Sequence, residues 1–473
     1  MSSELDVVVL GAGPAGAMAA ARAVQLGART ALVTRNDFGG MAANDGPVPV
    51  RTLAHTARLM RDARQLGRYG VTIDDPVLDY SRMLERVGEV VTDVRTVSSL
   101  RKEIVSRGAS VYENVGAARF VDPHNIVTET GLHLHSDKFI ICTGGVSRRL
   151  PIPGFEFTST HSDAWSLASV PPSMMVIGAG ATGVQVASIF NTFGSRIQLF
   201  EASPHILPSE DDDVAAAMAD AFQQAGMAVQ EDFGTIESFE KTSTGVRMTF
   251  SKDGHRETAE ATLVVVAVGW AVDTEALNLA AAGVDVTQRG FLKVNEYLQT
   301  SAPHVFAAGD VTGRIMLASE GLRDGFVAST NAMCDSSLPV SSHMIPAGSF
   351  THPEYASVGI TERKARESHD VVTAVVNFDT ITRAIIDGQT FGFCKLIVDR
   401  KTNEILGCHV VGERAVDIVH VASVAITAGI RRVDDLARVS VSFPTYAHIL
   451  INAAVKAALQ MDLDIGWRAH YSA

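Results

Sequence analysis

Two glycine clusters carry the most specific chemistry this sequence offers. Gly11-Ala12-Gly13-Pro14-Ala15-Gly16 and Gly178-Ala179-Gly180-Ala181-Thr182-Gly183 share the spacing G-x-G-x-x-G. In such a cluster the first glycine permits a tight turn and the second lets the backbone approach a diphosphate. The third brings the following helix close to the preceding strand. The diphosphate then rests on the free N–H groups and positive end of that helix. One cluster alone is a weak signal, whereas two in one chain are a strong one. Twenty-three positions beyond each first glycine stand Thr34 and Glu201. A carboxylate at that place bonds ribose hydroxyls and repels a 2′-phosphate. Glu201, with no arginine in residues 202–205, therefore favours NADH over NADPH, while Thr34 offers only a hydroxyl.

The elements that must hold these turns surround them. A short apolar strand at residues 6–10, an alanine-rich helix ending near Leu26 and a strand at 30–33 frame the first turn. A strand at 174–177, a helix to Phe193 and a strand at 197–200 frame the second, so each is the start of a βαβ unit. From about residue 345 the pattern changes. Residues 391–399 and 404–411 read as antiparallel strands about a turn near Lys401, and 415–428 and 446–461 read as helices. A mixed α+β module of this kind suits dimerisation better than a third nucleotide site.

Composition narrows the classes. At 473 residues, with 46% hydrophobic and 20% charged, the chain is long enough for about three globular domains. Its 40 Lys+Arg against 53 Asp+Glu give a formal charge of −13, which repels phosphate backbones and anionic lipid. The residues Met-Ser-Ser-Glu-Leu-Asp at the start lack the cationic and apolar regions of a signal peptide, and the longest apolar run, 263–272, is too short to span a bilayer. The expected location is the cytoplasm. The four cysteines (Cys142, Cys334, Cys394 and Cys408) form no CxxC pair and no metal-ligand pattern; Cys394 and Cys408 on the two hairpin arms are a disulfide or two buried thiols.

These features resemble the pyridine nucleotide–disulfide oxidoreductase family of FAD enzymes over nearly the whole length. The resemblance rests on both glycine turns, on Phe139-Ile140-Ile141-Cys142-Thr143-Gly144 and on Val305-Phe306-Ala307-Ala308-Gly309-Asp310. It continues in Ser357-Val358-Gly359-Ile360-Thr361-Glu362, Glu404-Ile405-Leu406-Gly407 and Phe443-Pro444-Thr445, with residues 412–420 most similar to soluble transhydrogenases. It implies an α/β fold of two Rossmann-like dinucleotide-binding domains plus a C-terminal α+β dimerisation domain. Residues 1–150 and 271–344 would form the FAD-binding domain in two parts, 151–270 the NAD-binding domain and 345–473 the dimerisation domain of a homodimer. FAD would be held by Gly11, Gly13, Pro14, Ala15, Gly16, Thr34, Gly39, Gly40, Arg51, Ala117, Thr143, Gly144, Gly309, Asp310, Leu317 and Ala318. Asp310 would take the ribityl chain, and the helix from Leu317-Ala318 would point its positive end at the flavin pyrimidine. NAD(H), or NADP(H), would be held by Gly178, Gly180, Thr182, Gly183, Glu201 and Gly269.

The departures from the family pattern bear on function. The family's GG-x-C-x-x-x-x-C-x-P-x-K reads Gly39-Gly40-Met41-Ala42-Ala43-Asn44-Asp45-Gly46-Pro47-Val48-Pro49-Val50-Arg51, so both redox cysteines are replaced, by Ala42 and Pro47. Thiol–disulfide exchange needs a thiolate that neither can supply. The family's H-P-T-x-x-E reads Phe443-Pro444-Thr445-Tyr446-Ala447-His448, which removes the acid–base histidine and leaves His448 as a titrating group or a plain helix-face residue. Arg51 and Gln185 stand where relatives carry an ion-paired Lys and Glu, so Arg51 either stabilises anionic reduced flavin or bonds to Gln185. G-R-x-P-N-T reads Gly269-Trp270-Ala271-Val272-Asp273-Thr274, which bears on the domain junction. The catalytic candidates are Arg51, Phe443 and His448. The leading expectation is an NAD(P)H oxidoreductase passing electrons from reduced flavin straight to a non-disulfide acceptor such as a quinone, in a pocket walled by Ala42, Pro47 and, across the dimer, Phe443, Tyr446 and His448. Hydride exchange between nicotinamide cofactors, and a flavin-binding sensor without turnover, are the alternatives.

Overall fold

The computed structural model describes residues 5–335, 337–340 and 344–470; the start of the N-terminal acidic stretch, 1–4, lies outside them. The strand Leu5–Leu10 is half-buried at Leu5 and Asp6 and fully buried at Val7, Val8, Val9 and Leu10, as a central parallel strand requires. It pairs in parallel with Thr30–Val33 on one side and His133–Ile141 on the other, and Ser110–Tyr112 extends the sheet beyond Thr30–Val33. Far along the chain Val305–Ala307 returns to lie parallel to His133–Ile141. The helix Ala318–Cys334 that follows packs along Pro14–Gln25 so tightly that a Cβ on Gly325 would stand 2.1 Å from the Ala15 carbonyl oxygen.

Between departure and return lies a second sheet. Ser173–Ile177 runs parallel to Arg196–Phe200 and to Leu263–Val266, with Ala228–Gln230 at the edge. An antiparallel sheet of Thr235–Lys241, Val246–Lys252 and His255–Ala261 covers it through Phe200, Phe233, Phe239, Met248 and Phe250. The two units meet at a short ladder in which Trp270 faces Ser147 and Ala271 faces Val146. Trp270, in place of the family's arginine, thus serves the junction through its backbone.

The C-terminal unit is a five-stranded antiparallel sheet with Ile405–Val411 and Phe393–Asp399 at its centre, covered by helices Ala415–Thr427 and His448–Gln460. The expected hairpin is therefore present, and its strands start one or two residues later than the sequence suggested. The helix expected from 446 begins at His448, because the chain before it is tightened into i→i+3 turns, His448 N–H on the Thr445 carbonyl and Ile449 N–H on that of Tyr446, whose hydroxyl donates to Asp387 at 2.9 Å. Cys394 and Cys408 are buried free thiols, which settles the alternative left by the sequence. On the same strand as Cys394, buried Lys395 places its ammonium 2.7 Å from Asp211, 2.6 Å from Asp213 and 2.6 Å from Glu362, tying the second unit to the third. Among the described residues no helix is long and apolar enough to cross a membrane.

Candidate active site

The first turn is dictated by its residue types. Gly11 has φ of 103°, and a Cβ there would lie 2.2 Å from the carbonyl oxygen of Cys142. A Cβ on Gly16 would lie 1.8 Å from the Gly11 carbonyl oxygen, so helix and strand touch through backbone alone. Gly13 caps the helix with no side-chain bond and Pro14 is first in it, which leaves the first-turn N–H groups for a ligand. Gly39 and Gly40 close over the turn: the Gly39 N–H donates to the Ala12 carbonyl at 2.9 Å, and a Cβ on Gly40 would meet Gly13 Cα at 2.6 Å. Thr34 is buried at the end of its strand, its N–H on the Tyr112 carbonyl. Ala117 precedes the strand Ala118–Asp122 and accepts from Glu129 N–H. Thr143 and Gly144 follow the strand His133–Ile141 after the single residue Cys142.

Gly309, at φ 77°, lies against the Ala15 methyl and presents Asp310 beside the same turn. The Asp310 carboxyl is pushed up by burial and, among the described residues, has no hydrogen-bond partner. Leu317 caps the helix Ala318–Cys334 without a side-chain bond. Two uncapped helix N-termini and an unpartnered carboxyl thus converge on one cradle. The diphosphate and the polyol of FAD match those donors and that acceptor, so the residues present fit the group.

The second turn opens on a cavity of about 560 Å³ lined by Gly178, Gly180, Thr182, Glu201 and Gly269. Gly183 lies beneath it, its Cβ position 1.8 Å from the Gly178 carbonyl oxygen. Gly180 caps the helix Ala181–Phe193 and has open space where a Cβ would stand. Buried Glu201 accepts from the N–H of Ala179 and of Ser203, each at 2.8 Å, so it braces the turn as well as facing the cavity. That bracing role was not visible in sequence, nor were three other walls of the cavity: Ser147, His161 and Trp270.

Around the replaced cysteines the structure corrects one expectation. Arg51 makes no bond to Gln185. Its guanidinium carbon lies 3.3 Å from the centre of the Phe350 ring, while Gln185 donates to the Ala181 carbonyl at 2.8 Å and accepts from the Phe350 N–H. A neutral amide can satisfy both of its ends on backbone and offers Arg51 no charge, so the cation takes a ring face instead. Deeper in the same region Glu354 is pushed up to about 7 by burial and by Glu413, which pairs with Arg58. His352 is driven down to about 4 by burial beside Arg61 and Arg58. Phe443, 69% exposed, stands edge-on to His448 at 5.8 Å on the C-terminal unit. His448 is lowered by burial and by Arg468, and its Nδ1 is buried without a partner. No hydrogen bond, ion pair or ring contact joins either residue to Arg51 among the described residues.

Two glycine turns, one beside an unpartnered carboxyl and one beside a buried glutamate, define a protein built to hold two dinucleotides. Residues 5–325 match the family model described as pyridine nucleotide-disulphide oxidoreductase, and residues 345–454 match the dimerisation domain of that family. The chain belongs to the pyridine nucleotide-disulphide oxidoreductase family, whose members use FAD and NAD(P)H. It is 33% identical over 460 residues to a dihydrolipoyl dehydrogenase of Thermus scotoductus, covering 95% of this chain and 96% of that one. It is 29% identical over 472 residues to a mercuric reductase of Lysinibacillus sphaericus, covering 98% and 83%. The HOCl-induced flavoprotein disulfide reductase RclA from Escherichia coli superimposes with a TM-score of 0.84 at 25% identity, over 95% of this chain and 99% of that one.

Proposed function

We propose that the protein is a FAD-dependent NAD(P)H oxidoreductase, NADH preferred, that delivers electrons to a non-disulfide acceptor such as a quinone. One observation carries this reading: the loop that would present a redox disulfide holds Ala42 and Pro47, and the four cysteines, all free, stand elsewhere. FAD, when bound, supplies the reversible two-electron carrier that Ala42 and Pro47 of this loop cannot. The domain reading (1–150 with 271–344, 151–270, and 345–473) and the residue sets assigned above to FAD and NAD are part of the proposal, as are a homodimer and a cytoplasmic location. The exposed Val421 and Val424 on the helix Ala415–Thr427 support a second copy as partner.

The chain's own residues have distinct tasks. The N-terminus of Ala181–Phe193 and the bare Gly180 bind the nicotinamide cofactor's diphosphate, and Glu201 selects its ribose. Arg51, fixed over Phe350, supplies a positive charge in the region of the lost disulfide, faced by the carboxyls of Glu354 and Asp417. An Arg51→Ala protein with unchanged flavin potential and turnover would remove that role. Phe443 and His448 are assigned to the acceptor pocket across the dimer. Anaerobic titration of the yellow protein with NADH and NADPH, followed by an acceptor screen, tests the whole. Bleaching by NADH with turnover on quinones or dyes, insensitive to thiol alkylation, supports it; turnover only with a disulfide substrate refutes it. Hydride exchange between nicotinamide cofactors is the second reading, supported by residues 412–420, and transfer from NADPH to an NAD analogue is its test.

A further inference from the structure

We propose that Asp45, His161 and Ser147 form a chain that sets which way the Ser147 hydroxyl faces the dinucleotide cavity, making His161 a positioning residue for the nicotinamide cofactor. The proposal rests on the reading that this cavity holds that cofactor. Ser147 and His161 both line it, as do the glycine turn and Trp270, which pairs with Ser147 in the short ladder. His161 opens the short helix His161–Trp165, is 4% exposed and is wedged edge-to-face between Trp270 at 5.1 Å and Trp165 at 6.4 Å. Its Nδ1 is 3.2 Å from Ser147 Oγ. Its Nε2 is buried and has no hydrogen-bond partner; the nearest carboxylate oxygen, Asp45 Oδ2, stands 3.8 Å away. Asp45 is itself held by Ser162 Oγ at 2.5 Å. It belongs to the turn between Ala42 and Pro47, so the chain runs from the loop of the replaced cysteines into the cavity.

The hydrogen bookkeeping gives two states. With one proton, placed on Nε2 toward Asp45, His161 offers a lone pair at Nδ1. Ser147 must then donate to it and shows the cavity only lone pairs, which suit a hydroxyl or amide N–H of a ligand. With two protons, Nδ1–H donates to Ser147 and the hydroxyl hydrogen is released to the cavity, where it suits a phosphate oxygen. The charged groups facing His161 are Asp45 from the 42–47 turn and Asp163 from its own helix; the ladder contributes the uncharged Ser147 and Trp270. Burial, the larger effect, opposes the second proton and holds the free imidazole below its ordinary value, while both carboxylates favour it. A dinucleotide diphosphate adds negative charge on the cavity side, so binding draws a proton to His161. NADH affinity is therefore highest at low pH and falls as pH rises through the imidazole of the complex.

The test is the dissociation constant of NADH on the FAD-loaded protein, reduced beforehand under anaerobic conditions so that no hydride transfer consumes the ligand, followed by nicotinamide fluorescence between about pH 5.5 and about pH 8.5, with turnover measured alongside. In the wild type it should weaken about 5- to 10-fold across that range, in KM and not in kcat. His161→Asn keeps a polar group near the Nδ1 position but cannot titrate, and should give a flat profile at the wild-type high-pH value. Ser147→Ala, which removes only a hydroxyl, should lose the low-pH gain. Asp45→Asn should move the fall to lower pH. If His161→Asn or Ser147→Ala binds NADH with the wild-type pH profile, the relay is wrong and the cavity assignment stands. If the wild-type protein binds neither NADH nor NADPH, both are wrong.

Discussion

Replacing Glu201 by Gln tests the assignment of the second turn most directly. Glu201 is buried, and no ion pair neutralises it among the described residues. A 2′-phosphate oxygen about 5 Å from such a carboxylate, at an effective dielectric near 20, is repelled by about 3 kcal/mol per unit charge. The Ala179 and Ser203 N–H dipoles offset part of this, which leaves about 2 kcal/mol, or roughly 30-fold in favour of NADH. Glu201→Gln has the same shape and no charge. Its single carbonyl oxygen can keep one of the two N–H bonds, and its amide hydrogens oppose the other, at a cost of about 1.5–3 kcal/mol in the turn. Both cofactors should bind more weakly, NADPH less so, and the preference should shrink to about threefold or less. Anaerobic nicotinamide fluorescence titrations of the FAD-loaded, pre-reduced wild type and variant with NADH and NADPH measure this. A preference unchanged by the substitution would refute the reasoning.

Three further outcomes follow from the geometry. Gly180→Ala adds a methyl where no atom lies within 4 Å and at an ordinary φ of −74°, so fold and colour should persist while NADH affinity, read by the same titration, drops about 10-fold or more. Lys395→Met strands Asp211 as a buried uncompensated charge, which should cost about 3 kcal/mol and lower the thermal midpoint of the 473-residue chain by roughly 3 °C. The double variant Lys395→Met/Asp211→Asn should recover most of that loss in the same melt. Glu354 binds its proton more tightly folded than unfolded, so its contribution to stability is present below the ordinary carboxylate range and is lost as pH rises toward about 7. Glu354→Gln should therefore raise the urea midpoint near pH 8 and leave it unchanged near pH 4; an equal effect at both would show the carboxyl to be unperturbed.

Both glycine turns and the strands flanking them were legible because local constraint fixes them. Only glycine tolerates φ of 103° at Gly11 or the 1.8 Å approach at Gly16, and a buried parallel strand must be apolar on both faces. The replaced cysteines were legible for the same reason: their absence is a statement about single positions. Contacts between distant residues were not. Lys395 reads as an ordinary strand lysine until Asp211, 184 positions away, is folded against it. His161 and Asp45 lie on separate segments with no motif between them, and Arg51 settled on Phe350 because the distant Gln185 spends its amide on backbone. Charge complementarity across domains has no period and no fixed spacing, so it leaves no trace in a one-dimensional reading.

The close seating of Gly325 on Ala15 has a consequence for how the protein is made. Arg22 on the first helix bonds to Thr330 on the second across 308 positions of chain, so the groove between them cannot exist until almost three quarters of the polypeptide has been synthesised. At about 5–20 residues per second the ribosome holds the N-terminal βαβ unit without its closing helix for some tens of seconds. The intervening unit, a parallel sheet with one face covered by its own antiparallel layer and the other packed on residues such as Leu53, Met83 and Tyr355 of the flanking units, emerges in that interval and carries the late helix back to the early one. A cradle that draws on both of these remote stretches is complete only once the late helix has docked on the early one.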